Sequence, residues 1–383
     1  MGNWSELPRD LLRSITSFLP IADIHRFSSV CREWNFVSKE ITHPPAAQLP
    51  WLVLTDHEIT KKRMFYNMSE KKYYQFDIPE LHGARCHGSS FGWLFVVGPR
   101  LETHLINPFS GAKHSLPRAP PYNFKREYYD DYLIEYGYKY PCILEPCIFS
   151  YELMQRIIVH KAILSADPNK CTDFVLMIML NGDHKLAIWR VGDKDWTVFK
   201  ENRYILEITC FKGQFFALLV GNKFATVDVG PEPKLIKHKQ CLRECTSGAA
   251  RYFINVSDIS LLLVVRRTKK DENDDEHFTT SEFRVFELDL EEVEAYEIED
   301  INGDTLFLGK NSGINVPFRE FSGCRENCIY FSSDACDGLP EEKYGYDDMG
   351  VWSIVDETIK PLFEPNVYMS PTSCPIWLVP NPW

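Results

Sequence analysis

Hydrophobic positions along the chain change period once. Up to about residue 42 they recur at helical spacing: Leu7, Leu11, Ile15 and Leu19 fall every fourth residue, and Ile24, Phe27, Cys31 and Trp34 follow at three, four and three. This predicts two amphipathic helices broken at Pro20. Ser5 and Glu6 precede Pro8, a good first-turn residue, and Asp23 is placed to cap the second helix from outside. Both stripes are built of large apolar side chains. A module of about 40 residues has too little interior to bury them, so either the rest of the chain or a partner must cover them.

Beyond the Pro-rich stretch HPPAAQLP the period changes to short apolar runs bounded by Gly, Pro, Asn and Asp, and it stays so to the C-terminus. The expected organisation is a helical module over residues 1–43, a linker over 44–50 and a β domain over 51–383. WLVLTDHEITKKRMFYNMSEKKYYQFDIP aligns with WLFVVGPRLETHLINPFSGAKHSLP as strand, turn, strand ending at Asn67 or Asn107, Ser turn and last strand. Related units recur in GQFFALLVGNKFATVDV, in ISLLLVVRR with FRVFELDLEEVEAYEIED, and in NCIYFSSD with VWSIVDETIKPLF. Four-stranded repeats of about 40 to 50 residues predict a β-propeller, here of six blades, in which each blade buries its faces against its neighbours. The first unit has three strands and PIWLVPNPW has one strand without a blade. Joining Ile376–Val379 to the first unit closes the ring and removes the open edges.

Charge narrows the function. With 54 acidic against 42 basic side chains and no basic stripe, the chain repels a phosphate backbone, which argues against nucleic acid. No apolar run is long enough to cross a bilayer and no secretory signal is visible, so the expected location is cytoplasm, nucleus or both. The 12 cysteines are scattered, several inside strand-like runs, which fits reduced thiols. The CxxxC pairs Cys241/Cys245 and Cys324/Cys328 lack a second His/Cys pair at zinc spacing, so no metal or other cofactor is expected. No GxSxG, HExxH or GxxxxGK[ST] pattern occurs, and His160 in RIIVHKAIL reads as a strand residue, so catalysis is not expected.

Two further segments stand out. KKDENDDE, residues 269–276, reads as a solvated hairpin loop, with attraction of a basic partner as its alternative. Residues 118–142 form a long Tyr-rich connection between the second and third blades, in which Tyr128, Tyr129, Tyr132 and Tyr136 are the densest aromatic cluster. Either they pack over a blade edge or they bind a target. In an up-and-down blade this connection, the loop at 269–282 and that at 334–348 all emerge on one face, whereas 165–173 emerges on the other.

The helical segment LPRDLLRSITSFLPIADIHRFSSVCREW resembles an F-box over the whole motif. That resemblance implies docking onto the Skp linker subunit of a cullin-RING ubiquitin ligase through Leu7, Pro8, Leu11, Ile15, Leu19, Val30, Cys31 and Trp34. One departure is Thr16, where the family carries a larger apolar residue. The β region is similar to the kelch-like domain of unknown function in a group of plant F-box proteins, through GWLFVVG, LINPFSG, GDKDWTVF, CFKGQFFALL, TLFLGKN and NCIYFSSD in that order. The implied function is that of a substrate receptor in an SCF-type ligase, whose propeller binds a protein target. The alternatives are a scaffold that binds the linker without cullin, and a propeller enzyme with a site in its channel.

Overall fold

A computed structural model describes residues 4–16, 18–19, 21–28, 30–40, 49–57, 59–120, 151–180, 185–200, 204–241, 250–256, 259–270, 278–310, 312–318, 324–333, 348–362 and 374–381. The β domain consists of six sheets. Blade 1 pairs β1 (Trp51–Asp56), β2 (Arg63–Asn67) and β3 (Lys72–Phe76) with the last strand, β25 (Ile376–Leu378). Blade 2 is β4 (Arg85–Ser90), β5 (Trp93–Val97), β6 (Thr103–Ile106) and β7 (Lys113–Leu116). Blade 3 is β8 (Val159–Leu164), β9 (Val175–Leu180), β10 (Leu186–Arg190) and β11 (Thr197–Val198). Blade 4 runs β12 (Ile205–Phe211), β13 (Gln214–Leu219), β14 (Lys223–Asp228) and β15 (Lys234–Cys241). Blade 5 runs β16 (Ala250–Val256), β17 (Ser260–Lys270), β18 (Phe278–Asp289) and β19 (Glu294–Ile298).

Six hydrophobic clusters, each shared by two neighbouring sheets, close these blades into a ring. Phe65 and Trp51 of blade 1 meet Leu94 and Val96 of blade 2, and Trp93 and Phe95 meet Leu176 and Trp189 of blade 3. The series continues until Phe307 and Tyr330 of the last blade return to Leu52 and Trp377 of the first. A strand covered on both faces needs apolar side chains at successive positions, which is why WLFVV in β5 is continuous and wholly buried. The outer strand KYYQF in β3 keeps most of its residues partly or fully exposed. Inner strands also approach closely: a Cβ at Gly88 of β4 would overlap the Ala162 carbonyl of β8.

The ring is closed as expected, Trp51, Leu52 and Val53 pairing antiparallel with Leu378, Trp377 and Ile376. Blade 6 departs from the simple repeat. It has five strands in the order β21 (Ile314–Val316), β20 (Thr305–Leu308), β22 (Cys328–Phe331), β23 (Gly350–Ser353), β24 (Thr358–Pro361), and β20 pairs parallel with β22. TLFLGKN therefore forms an added strand of this blade, and the short hairpin partner β21 takes the innermost place beside β16.

The helical module holds three helices rather than two: α1 (Arg9–Thr16), α2 (Ile21–Ser28) and α3 (Arg32–Lys39), after a 3-10 turn at Trp4–Glu6. The stretch expected to be one helix after Pro20 breaks before α3, because Cys31 is extended (φ −161°, ψ 174°) and caps α3 without a side-chain hydrogen bond. Asp23 lies inside the first turn of α2, where it pairs with Arg26 at 2.6 Å, instead of capping it from outside. A further helix, α4 (Tyr151–Ile157), precedes β8 in a region where the sequence pattern predicts only β structure. The expectation of uniformly reduced cysteines also needs correction. Cys31, Cys86, Cys171, Cys210, Cys324 and Cys328 are free thiols, but Cys374, which chain closure carries to the ring seam, is disulfide-bonded.

Candidate functional site

Two surfaces are candidates, one on the helices and one on the propeller. On the helices, the apolar stripes divide into an inner and an outer set. Leu12, Phe27 and Val37 are buried as the module's own core, with Leu7, Leu19 and Trp34 packed against them. Trp34 stacks on Phe27 with ring centroids 4.3 Å apart, and its indole N–H donates to the Trp4 carbonyl at 3.2 Å. Leu11, Ile15 and Val30 stay exposed together with Trp4, Phe18 and Phe36, Val30 at 56% and Phe18 at 86%. Pro8 is exposed and Cys31 half-buried. The eight expected docking residues thus fall into three that brace the module and five that reach its surface. Thr16, the departure from the motif, is buried inside the module with its hydroxyl donating to the Arg13 carbonyl at 2.9 Å.

Ion pairs fix the frame of this surface. Arg9 pairs with Glu33 at 3.0 Å and lies 4.5 Å from the Phe36 ring centroid, and Arg13 pairs with Glu40 at 2.6 Å, so α1 is tied twice to α3. Such exposed pairs contribute little energy, and their geometric effect is to fix α1 against the C-terminal half of the module. Toward the propeller, the Arg26 guanidinium sits 5.6 Å from the Tyr74 ring centroid of β3. Burial and the hydrogen bond to Glu70 push the Tyr74 phenol up to about 12, so it remains a neutral donor.

Strand direction separates the propeller's two faces. β1 takes the second-strand position of its sheet, so the chain passes from the helices into the ring on the face where first and second strands connect. The described strand ends that flank 121–150, 271–277 and 334–347 open on the opposite face. Tyr128, Tyr129, Tyr132 and Tyr136 lie outside the described residues. The anchors of these segments are described. Gln155 of α4 donates to the carbonyls of Gly83 at 2.8 Å and Val97 at 2.7 Å, and its own carbonyl bonds the His87 ring at 2.9 Å. Between blades 5 and 6, Arg266 meets Asp348 at 2.8 Å, and the Thr280 hydroxyl donates to the same carboxylate at 2.8 Å. Because Thr280 follows 271–277 and Asp348 follows 334–347, this buried knot ties the roots of both segments.

Several titratable groups are buried in the blades. Lys161 of β8 and Glu207 of β12 form a nearly fully buried ion pair across blades 3 and 4. Burial pushes the Glu207 carboxyl up, against the pull of the Lys161 ammonium. Burial also pushes Cys210 and Cys324 up to about 12, so both stay protonated at neutral pH, and no His/Cys/Asp/Glu group suited to a metal ion occurs among the described residues. Among those residues, no helix is long and apolar enough to cross a membrane.

Breaking the inner pair has a definite expected cost. Lys161→Ala leaves a buried carboxylate without its cation and destabilises the chain by about 3–5 kcal/mol, whereas Lys161→Met with Glu207→Leu recovers most of the loss. Denaturant melts of the single and double variants check this; a coupling below about 0.5 kcal/mol contradicts it.

Comparison with known proteins adds the following. A family model described as KIB1-4 beta-propeller matches residues 65–353, and one described as F-box domain matches residues 4–41. The F-box protein SKIP23 of Arabidopsis thaliana is 23% identical over 100% of this chain and 96% of its own length. The F-box protein KIB2 of the same plant is 24% identical over 85% of this chain and 71% of its own. A more identical relative, the F-box protein At2g14500, matches at 34% over 30% of each chain, so this chain spans under a third of that relative's length in the match. Among solved structures, the β-propeller domain of Cps50 (Swd1) aligns over 85% of this chain and 88% of its own, with 8% identity and a TM-score of 0.38.

Proposed function

The chain belongs to the KIB1-4 β-propeller family and carries an N-terminal F-box, and we propose that it is the substrate receptor of an SCF-type cullin-RING ubiquitin ligase. In this role the helices bind the Skp linker and the propeller holds a protein target. The observation that carries this reading is the split of the helical stripe. A module with its own small core nonetheless leaves Leu11, Ile15, Phe18, Val30 and Phe36 exposed, as a surface built for a partner would. Leu7, Leu19 and Trp34 then act by holding that surface in shape, with Pro8 and Cys31 at its margins. The chain provides proximity and orientation, and the bond chemistry belongs to the ligase.

The target is assigned to the face opposite the helices, where the Tyr-rich segment, 271–277 and 334–347 are rooted. Interfaces draw most of their energy from a few aromatic anchors, and Tyr128, Tyr129, Tyr132 and Tyr136 are the candidates. Replacing those four with Ser is expected to abolish target recovery while the Skp linker stays bound. Quantitative affinity recovery of both checks this, and an unchanged set of captured proteins contradicts it. The ligase assignment is tested by co-purification. Cullin recovered together with the linker is the expected result, and linker without cullin overturns it in favour of a non-degradative scaffold.

A further inference from the structure

The ring is fastened at more than the β25–β1 seam. Within β25 the Trp377 indole N–H donates to the Leu308 carbonyl of blade 6 at 3.0 Å. The Ser89 hydroxyl of blade 2 donates to the Trp377 carbonyl. Just before the strand, the Ser332 hydroxyl of blade 6 donates to the Pro375 carbonyl at 3.2 Å. The chain then continues past the strand to Asn381. There the side-chain amide donates to the Phe91 carbonyl at 2.9 Å and to the Asp167 carboxylate at 2.9 Å, while the Asn107 amide donates to the Asn381 carbonyl. Phe91 and Asn107 belong to blade 2, and Asp167 to the connection between β8 and β9 of blade 3.

The receiving site is built. Asn107, the asparagine of LINPFSG, is fully buried, and its side-chain oxygen accepts from the backbone N–H of Phe109 and Ser110, both at 3.0 Å, which leaves its amide aimed at Asn381. Asp167 is buried and accepts from the Asn169 N–H at 2.9 Å through its other oxygen. The turn at Phe91 and Gly92 has both residues at positive φ, 54° and 82°, and a Cβ on Gly92 would lie 2.5 Å from the Asn381 Cβ. Glycine is therefore required twice here, for its conformation and for the approach of the tail.

We propose that residues 374–381 form a strap across blades 6, 1, 2 and 3, and that Asn381 is its latch. β25 alone closes the sheet of blade 1. The latch carries the closure two blades further, on the face where the helices join the ring, and it locks the β4–β5 turn to the β8–β9 connection.

The test uses the full-length chain with Asn381→Ala, Gly92→Ala, Asp167→Ala and the double variant Asn381→Ala with Asp167→Ala. Asn381→Ala and Gly92→Ala are each expected to lower Tm by about 2–5 °C, from the loss of more than one hydrogen bond in a domain of this size. Hydrogen exchange at residues 89–93 and 165–169 should speed by about tenfold while the amides of β25 keep their protection. The double variant should lose less than the sum of the two single variants, because both remove the Asn381–Asp167 bond, while Asp167→Ala also strips the Asn169 N–H of its acceptor. Unchanged Tm and exchange in Asn381→Ala, or strictly additive losses in the double variant, overturn the latch. Loss of β25 protection in the same variant would also overturn it, since the strap would then be one undivided closure.

Discussion

Replacing Leu11 and Val30 together by Asp is expected to abolish capture of the Skp linker while the propeller's melting transition stays in place. Both side chains are about half exposed and neither belongs to the module core of Leu12, Phe27 and Val37, so the helices lose little packing of their own. At a docked interface each apolar side chain removed forfeits about 1.5–3 kcal/mol, before the cost of covering a carboxylate. Together that amounts to at least about two decades of affinity. Titration of the purified chain with the linker, run beside a thermal melt, reads both quantities. Trp34→Ala is a different experiment. Because Trp34 stacks on Phe27 and bonds to Trp4, its loss is expected to loosen the module as well as weaken docking, so it cannot separate the two effects.

Deleting everything after Ser373 is expected to leave a chain that does not persist as a folded monomer. The deletion removes Ile376, Trp377 and Leu378, all fully buried, from the clusters between blades 1 and 2 and between blades 6 and 1. Their burial is worth roughly 5–9 kcal/mol at the usual value per large apolar side chain, against a total stability of about 5–15 kcal/mol for ordinary domains. It also bares β1 as an edge, and an unpaired strand edge templates association. Light scattering and a melt of the truncated chain check this, and a monomer with unaltered Tm would contradict the closure.

Much of the ring is legible in the chain because propeller blades are built locally. WLFVV, QFFALL and SLLLVV are continuous apolar runs with turn residues at fixed distances, and their hairpin partners follow directly in sequence. The same holds for the seam, since a three-stranded first unit and an orphan last strand have one economical solution. What escapes the pattern is long-range or short. β21 spans only Ile314–Val316, and the parallel pairing of β20 with β22 leaves no periodic trace. Asn381 acts by reaching Asp167 and Phe91, far away in sequence.

On the helices, counting every fourth residue from Leu7 selects Leu11 and Ile15, which are exposed, and passes over Leu12, which is buried. Periodicity identifies an apolar stripe without deciding which edge of it faces the module's core. Val37 escapes for a related reason, because the helix presumed to start after Pro20 is two helices and the phase is lost at Cys31. The residues that anchor the face opposite the helices are equally silent in sequence. Nothing in the spacing of Arg266, Thr280 and Asp348 announces that they share one carboxylate, and Gln155 gives no sign that it bridges Gly83 and Val97.

The most direct measurement is of ubiquitin on the proteins that the propeller captures, comparing the unaltered chain with the Leu11→Asp, Val30→Asp variant under proteasome inhibition. A receptor predicts that both forms capture the same target, and that the target carries ubiquitin chains only with the unaltered chain, which alone recruits linker and cullin. A target modified equally with both forms, or never modified although linker and cullin are recovered, would contradict the account.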